Sequence, residues 1–368
     1  MDTSHLLAGL NNQQLEAVTA PAVPVVCIAG AGSGKTRVLT RRIAYRVSTG
    51  EIDPARVVVT TFTNAAATEL SHRLFGLKFR EPLTSGTFHS LALGQIKQRA
   101  NEIGRSVPAI IDSQYQFLRR NLPKQFEPHL HSLINEFGWA SSQLIGEEQY
   151  VEQAEAAERK PSVDITQVAE LMKSYRQLKL QKHVMDMDDI LRRAISDIAT
   201  DDNYAAAIKW RHRHFFVDEF QDINPLQYEL LSRWRQQRND IFVVGDPSQA
   251  IYAWNGSDPN LIGDFADMNR GAQVVRLTQN YRSSPQILAV AKSVLPSALD
   301  LQANEPDSNN VEVLSHSDDS EETTWIASEA ARTKRFEPSN SVVVLARTQN
   351  QLKTNLMLWT RLATTPSC

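Results

Sequence analysis

Three consecutive stretches decide the fold: VPVVCI at 23–28, AGAGSGKT at Ala29–Thr36, and RVLTRRIAYRV at 37–47. The first is short and continuously apolar, as in a strand buried on both faces. In the second, small residues let successive backbone N–H groups turn inward around phosphate oxygens. The third has helical character, and a helix N-terminus adds its partial positive charge at the same point. The spacing is that of a P-loop with Ala29 in place of the first glycine. Lys35 is then placed to reach β- and γ-phosphates, and the Thr36 hydroxyl to complete a Mg²⁺ shell. The bland alternative is a glycine-rich turn that binds nothing, and the strand before and helix after it count against that.

Working outward, further β-branched runs recur at Val57–Thr61, Phe215–Val217, Ile241–Val244, Val274–Leu277 and Ser341–Leu345, with intervals long enough for crossover helices. These features predict an α/β fold with a doubly wound parallel sheet. Between about Leu91 and Met185 the pattern changes. Leu130, Leu133, Ile134 and Phe137, then Val168, Leu171, Met172, Tyr175 and Leu178, follow helical spacing, and EEQYVEQAEAAERK (147–160) is helical in propensity. This reads as an inserted helical domain whose stripes form its core. FFVDEFQD, Phe215–Asp222, ends a buried strand in adjacent carboxylates, where open α/β sheets place their ligands. Asp218 is the candidate Mg²⁺ partner and Glu219 the candidate base for an attacking water.

Composition narrows the class. The 368 residues are 42% hydrophobic and 22% charged, ordinary for a globular chain. No apolar stretch approaches the roughly 18–20 residues of a membrane span, and MDTSHLLAGLNNQQ lacks the pattern of a secretory signal. Cys27 and Cys368 cannot build a disulfide framework or zinc cluster. These features predict a cytoplasmic protein with no membrane partner. The net charge of −3 conceals an asymmetry: residues 1–124 carry fifteen Lys and Arg against eight Asp and Glu. Lys35, Arg37, Arg41, Arg42 and Arg46 fall within twelve residues free of acid. Charge alone leaves open whether this is a solvated helix face or the mark of an anionic partner such as nucleic acid. Residues 300–323 are acidic without a compensating base and read as a solvated connection, followed by another strand–helix unit.

Eight segments, in order, resemble the motifs of UvrD/Rep-like superfamily 1 DNA helicases: LNNQQLEAV (10–18), AGAGSGKTRV (29–38), TFTNAAATEL (61–70), GTFHSLA (86–92), MDMDDIL (185–191), VDEFQDINPLQ (217–227), VVGDPSQAIYAWNG (243–256) and QNYRSS (279–284). The resemblance implies a RecA-like P-loop NTPase sheet in two segments, 1–92 and 186–278, interrupted by an all-helical insertion at 93–185. A partial second RecA-like domain follows at 279–368. It also implies ATP and Mg²⁺ as cofactors, with Gln14 and Tyr281 on the adenine, and the P-loop residues Ala29, Gly30, Ala31, Gly32, Ser33, Gly34, Lys35 and Thr36 together with Arg37 on the nucleotide. Thr36 and Asp218 serve the metal, Glu219 the water, Gln249 senses the γ-phosphate and Arg282 neutralises its charge. Thr61, Phe62, Thr63, Asn64, Phe88, His89, Tyr252 and Trp254 would line a single-strand groove. There aromatic stacking tolerates any sequence and the small polar side chains meet phosphates. For Phe88 a place in the core is an equal expectation.

The family usually has Lys where Ala65 stands, and acidic residues and Arg where Pro247-Ser248 and Asn255 stand. The later motifs of the second domain are not found after RTQNQLKTN (347–355). The resemblance therefore implies a 3′-to-5′ DNA helicase acting on single strands and their junctions with duplex, represented by an incomplete copy. A product that binds ATP and single strands without unwinding is the alternative. A P-loop ATPase or kinase unrelated to nucleic acid stands further off.

Overall fold

The structure, a computed structural model, describes residues 3–21, 24–77, 79–81, 83–252, 256–295, 298–306, 311–336, 339 and 341–352. The chain divides into two compact units, residues 1–308 and 309–368.

In the first unit the strands are β1 (Val25–Ala29), β2 (Val57–Thr61), β3 (Thr84–Thr87), β4 (Ala109–Ile110), β5 (Val184–Met185), β6 (His214–Val217), β7 (Ile241–Gly245), β8 (Gln273–Leu277), β9 (Gln279–Asn280) and β10 (Gln302–Ala303). Six of them form one parallel sheet in the order β3-β2-β6-β7-β1-β8. Successive side chains point to opposite faces of a strand. Val26, Val58, Phe215, Val217 and Val243 accordingly enter one core with Phe88, Ile96, Leu191, Leu230, Trp234 and Phe265. Cys27, Val57, Val59, Phe216, Phe242 and Val244 enter a second core with Val18, Leu39, Ile43, Leu70 and Leu74. Helices cover both faces, so the expected doubly wound α/β sheet is the one found. Burial pushes the Cys27 thiol up to about 12, so it is a core group. Val23 and Cys368 lie outside the described residues.

β3 was not legible as a strand. TSGT has no large apolar residue because it is an edge strand paired only with β2. Gly86 within it is needed for close approach, since a Cβ there would lie 2.5 Å from the Ser90 hydroxyl of the following helix.

The inserted helices have their own core, drawn from Leu118, Phe126, Leu130, Leu133, Phe137, Tyr150, Val168, Leu171 and Tyr175. The helix Phe88–Glu102 buries Ala92 and Ile96 in the α/β core instead. The expected boundary at 92/93 thus falls inside a continuous helix. The insert leaves and returns through the parallel pair β4–β5. Just beyond, Asp186 and Asp189 form a capping box on the helix Met187–Ala199, and Lys179 donates to both carboxylates at 2.6 and 2.7 Å. MDMDDIL is therefore a joint, closed by one buried lysine.

The second unit contains the helix Asp319–Phe336, whose first turn lies within the acidic stretch 300–323 that was expected to be a solvated connection. The strand expected at Ser341–Leu345 does not form. Strands need a partner for their backbone groups, and Val343 and Leu345 stand exposed.

Candidate nucleotide and strand site

Parallel strands deliver all their C-terminal ends to one edge. Because β6, β7 and β1 are neighbours, the loops after them meet there: 218–222, 246–249 and 30–36. The P-loop turns through positive φ at Gly32 (69°) and Gly34 (94°). Ala29 ends β1 and is buried, and the buried Ser33 hydroxyl donates to the Gly30 carbonyl at 2.7 Å. Lys35 Nζ donates to the Ala29 carbonyl at 3.3 Å, and Thr36 lies in the first turn of the helix Lys35–Ser48.

Sequence reading did not single out what holds this loop. Asn280 Nδ2 donates to the Ala31 carbonyl at 2.6 Å, and its Oδ1 accepts from the N–H groups of Arg282 and Ser283. The Tyr281 N–H donates to the Gly32 carbonyl at 2.9 Å. Asn11 Nδ2 donates to the Tyr281 hydroxyl at 2.8 Å, while Gln13 brackets Thr278. Tyr281 and Arg282 are thus brought to the P-loop from residues far apart in the chain. Gln14 is fully buried. Its Nε2 donates to the Ser33 carbonyl at 2.9 Å and its Oε1 accepts from the Asn11 N–H, so it braces the loop. Arg37 donates to the Gly9 carbonyl at 2.9 Å.

The basic run is largely structural. Arg42, buried, donates to the carbonyls of Ala17, Val18 and Ala20. Arg41 donates to those of Leu6 and Ala8, and Arg46, also buried, pairs with Asp240 and Glu51. These three side chains tie the N-terminal segment and the sheet to the P-loop helix.

Asp218 is buried at the end of β6, and its carboxyl is pushed up to about 7 by burial and then by the Glu219 charge, with Lys35 opposing. Glu219 has φ 50° and ψ 48°, left-handed and strained for a residue with a side chain. Its N–H donates to Asp218 Oδ1 at 3.0 Å, and its Oε2 accepts from Gln221 Nε2 at 2.8 Å. Gln221, almost fully buried, also accepts from the Asp246 N–H at 2.9 Å. Asp246 in turn accepts from Gln249 Nε2 at 2.6 Å. One buried glutamine therefore links the acid of β6 to the glutamine after β7. Gly245 is required beside it, because a Cβ there would lie 2.3 Å from Gln221 Oε1. The run DEFQD in the sequence was a signal for Gln221, but nothing in it distinguished that residue from the carboxylates.

A cavity of about 450 Å³ adjoins these groups, lined among others by Ala31, Asp246, Gln249, Leu288 and Leu301.

Beside β6, the turn after β2 carries Thr61, whose hydroxyl donates to the Thr63 carbonyl, half-buried Phe62, and exposed Thr63 and Asn64 at the start of a helix. The Phe62 and Tyr252 rings lie 4.5 Å apart, joining two elements predicted to share a groove. Phe88 belongs to the core instead. It is 5% exposed and stacks on Trp234 at 5.9 Å, so its ring is spent on packing. His89 Nε2 is buried with no hydrogen-bond partner among the described residues, and burial lowers its pKa. Trp254 and Asn255 lie outside the described residues.

A P-loop after β1, a carboxylate pair after β6 and a glutamine held by Asp246 after β7 define a P-loop α/β protein. The UvrD/REP helicase N-terminal domain matches residues 10–269, and the UvrD-like helicase C-terminal domain matches 275–363. The chain belongs to the UvrD/REP helicase family. It is 35% identical to ATP-dependent DNA helicase UvrD2 of Mycobacterium bovis, over 94% of this chain and 53% of that protein. It is 32% identical to ATP-dependent DNA helicase PcrA of Bacillus subtilis (80% and 40%) and to DNA helicase II of Escherichia coli (80% and 41%). The chain spans about half the length of these curated relatives. No helix among the described residues is long and apolar enough to cross a membrane.

Proposed function

We propose that the chain binds and hydrolyses ATP at the P-loop edge and couples that hydrolysis to movement on single-stranded DNA. The complete activity would be that of a 3′-to-5′ DNA helicase working at junctions of single strand and duplex. The observation that carries this reading is the continuous path from Glu219 through Gln221 and Asp246 to Gln249, on the domain whose Phe62 and Tyr252 rings meet at a tilt of 36°.

In this scheme the P-loop N–H groups and Lys35 hold the phosphates and Tyr281 flanks the base, while Gln14, expected on the adenine, is spent on bracing the loop. Glu219 takes the proton of the water whose oxygen attacks the terminal phosphorus as the bond to the departing ADP oxygen breaks. Arg282, exposed beside the P-loop, neutralises charge on the transferred group. Thr36 and Asp218 fit Mg²⁺: a buried carboxyl pushed up by burial and a like charge is one that a hard divalent cation would stabilise. Bound Mg²⁺ would offset charge on the phosphate oxygens. Thr61, Thr63, Asn64 and His89 would meet the strand beside Phe62, Tyr252 and Trp254.

The test measures ATP turnover with and without single-stranded DNA, and displacement of a strand from a 3′-tailed duplex. Slow turnover stimulated by single strands is expected, displacement would mark a complete helicase, and Glu219→Gln should abolish turnover while sparing nucleotide binding. Turnover indifferent to single strands would refute the coupling. Stimulated turnover without displacement would favour an ATP- and strand-binding product.

A further inference from the structure

The edge of the sheet opposite the P-loop gathers the residues that precede the strands. Arg56 precedes β2, Arg213 lies just before β6, and Arg238 stands shortly before β7. The Arg213 N–H donates to the Arg56 carbonyl at 2.9 Å. Arg238 donates to the Lys209 carbonyl at 2.9 Å, at the end of the helix Asp202–Arg211. Burial, then the charges of Arg213 and Arg56, lower the pKa of Arg238, so the three guanidinium groups lie within electrostatic reach of one another. Arg56 Nη1, Arg213 Nε and Arg238 Nε are buried with no hydrogen-bond partner among the described residues.

The acids of this edge are already engaged. Asp53 pairs with Arg56 at 3.1 Å, and Asp240 is held by Arg46 and His214. Arg56 is thus matched by one acid, whereas Arg213 and Arg238 have no ion pair among the described residues, so cationic charge is in excess there. Arg56 also lies 4.4 Å over the ring of Trp210, yet that ring remains 62% exposed, flanked by Lys209 and Arg211. An exposed indole braced by a guanidinium and surrounded by cations offers a base a π-face and its phosphates bidentate donors. Segments 53–56, 202–213 and 236–240 expose no other large apolar side chain, so the apolar centre of a protein interface is lacking there.

We propose that this edge is a second nucleic-acid site, taking phosphates of a single strand on Arg56, Arg213 and Arg238 and a base on Trp210. It stands apart from the Phe62–Tyr252 groove by the length of the strands, roughly 15 Å at about 3.3 Å per residue. Such a site would hold a second strand, or a distant part of the same one, against the back of the domain.

The test uses the full chain and an oligo-thymidine strand of about 16 nucleotides bearing 5-iododeoxyuridine, photocrosslinked and mapped by peptide. Crosslinks are expected in two peptides, one from the Phe62 or Tyr252 region and one containing Trp210. Trp210→Ala with Arg238→Gln should remove the second and keep the first, while Phe62→Ala should do the reverse. The salt dependence of the second event should flatten by about 0.7 for each phosphate contact removed. Lys209→Glu, at an exposed position, gives the same readout without altering the three half-buried arginines, and unchanged circular dichroism checks the fold. Absence of a crosslink in 202–213 at saturating strand, or an unchanged salt slope in the variants, overturns the proposal. So does displacement of the strand by polyglutamate with a tighter fit than the oligonucleotide, which would mark a surface for an acidic protein.

Discussion

Replacing Asp240 by Asn tests whether the basic run after the P-loop serves the fold or a ligand. Arg46 is 2% exposed in its side chain and donates to both Asp240 oxygens, at 2.6 and 3.0 Å. His214 Nδ1 lies 2.6 Å from Asp240 Oδ2. Although burial alone would raise it, the Asp240 carboxyl is pulled from 3.8 down to about 2, by the hydrogen bonds from His214 and Arg46 and then by their charges. At about 1.36 kcal/mol per pH unit, this corresponds to roughly 2–3 kcal/mol. Removing one member of a buried pair costs about 3–5 kcal/mol. Asn keeps one acceptor, and Glu51 still holds Arg46, so the expected loss is roughly 2–3 kcal/mol at pH 7. A depressed carboxyl stabilises the fold above its unfolded pKa, and that stability disappears as pH falls through the folded value. The gap between parent and variant should therefore persist as pH falls from 7 to about 4.5 and close between about 4 and 2. Urea unfolding followed by tryptophan fluorescence measures it. A gap below about 0.5 kcal/mol at pH 7, or one already closing between pH 7 and 5, would show that the basic run does not lean on Asp240. Single-strand affinity at pH 7 should be unchanged in the folded variant.

Two aromatic substitutions should separate core from groove. Phe88→Ala is expected to destabilise the protein by about 3–5 kcal/mol through the lost stack on Trp234, without a specific loss of strand affinity in thermal melts paired with anisotropy. Phe62→Ala should instead weaken strand binding by about 1–3 kcal/mol and leave the melting temperature nearly unchanged. Gly32→Ala should abolish nucleotide binding by calorimetry: the new Cβ would sit 2.7 Å from Arg282 Cβ, at a φ of +69° that disfavours a side chain. Wild-type affinity would show that the loop opens freely. Gln221→Ala should cut ATP turnover at least tenfold while nucleotide affinity stays within about twofold, because Glu219 loses its donor and the Asp246 N–H its acceptor. Equal losses in both would assign Gln221 to binding.

Most of the parallel sheet was legible because a strand buried on both faces must be continuously apolar, and VVCIA, VVVTT and IFVVG can be little else. The P-loop and DEFQD were legible because their chemistry depends on residues adjacent in the chain. The edge strand TSGT was hidden because pairing on one side alone imposes no apolar run. SVVVL misled in the other direction, since composition cannot supply the neighbouring strand that its backbone requires.

The phosphate loop, the carboxylates and the family motifs are local patterns, readable from residues adjacent in the chain. Packing in three dimensions selected which charges and rings were free to act. It placed Arg42 and Arg46 inside, gave Phe88 to Trp234, and drew Gln221 between Glu219 and Asp246. It also gathered Arg56, Arg213 and Arg238 from three separate strand starts. The physical reason is that burial and pairing depend on what the other strands and helices bring to the same place, and a parallel sheet brings together residues more than a hundred positions apart.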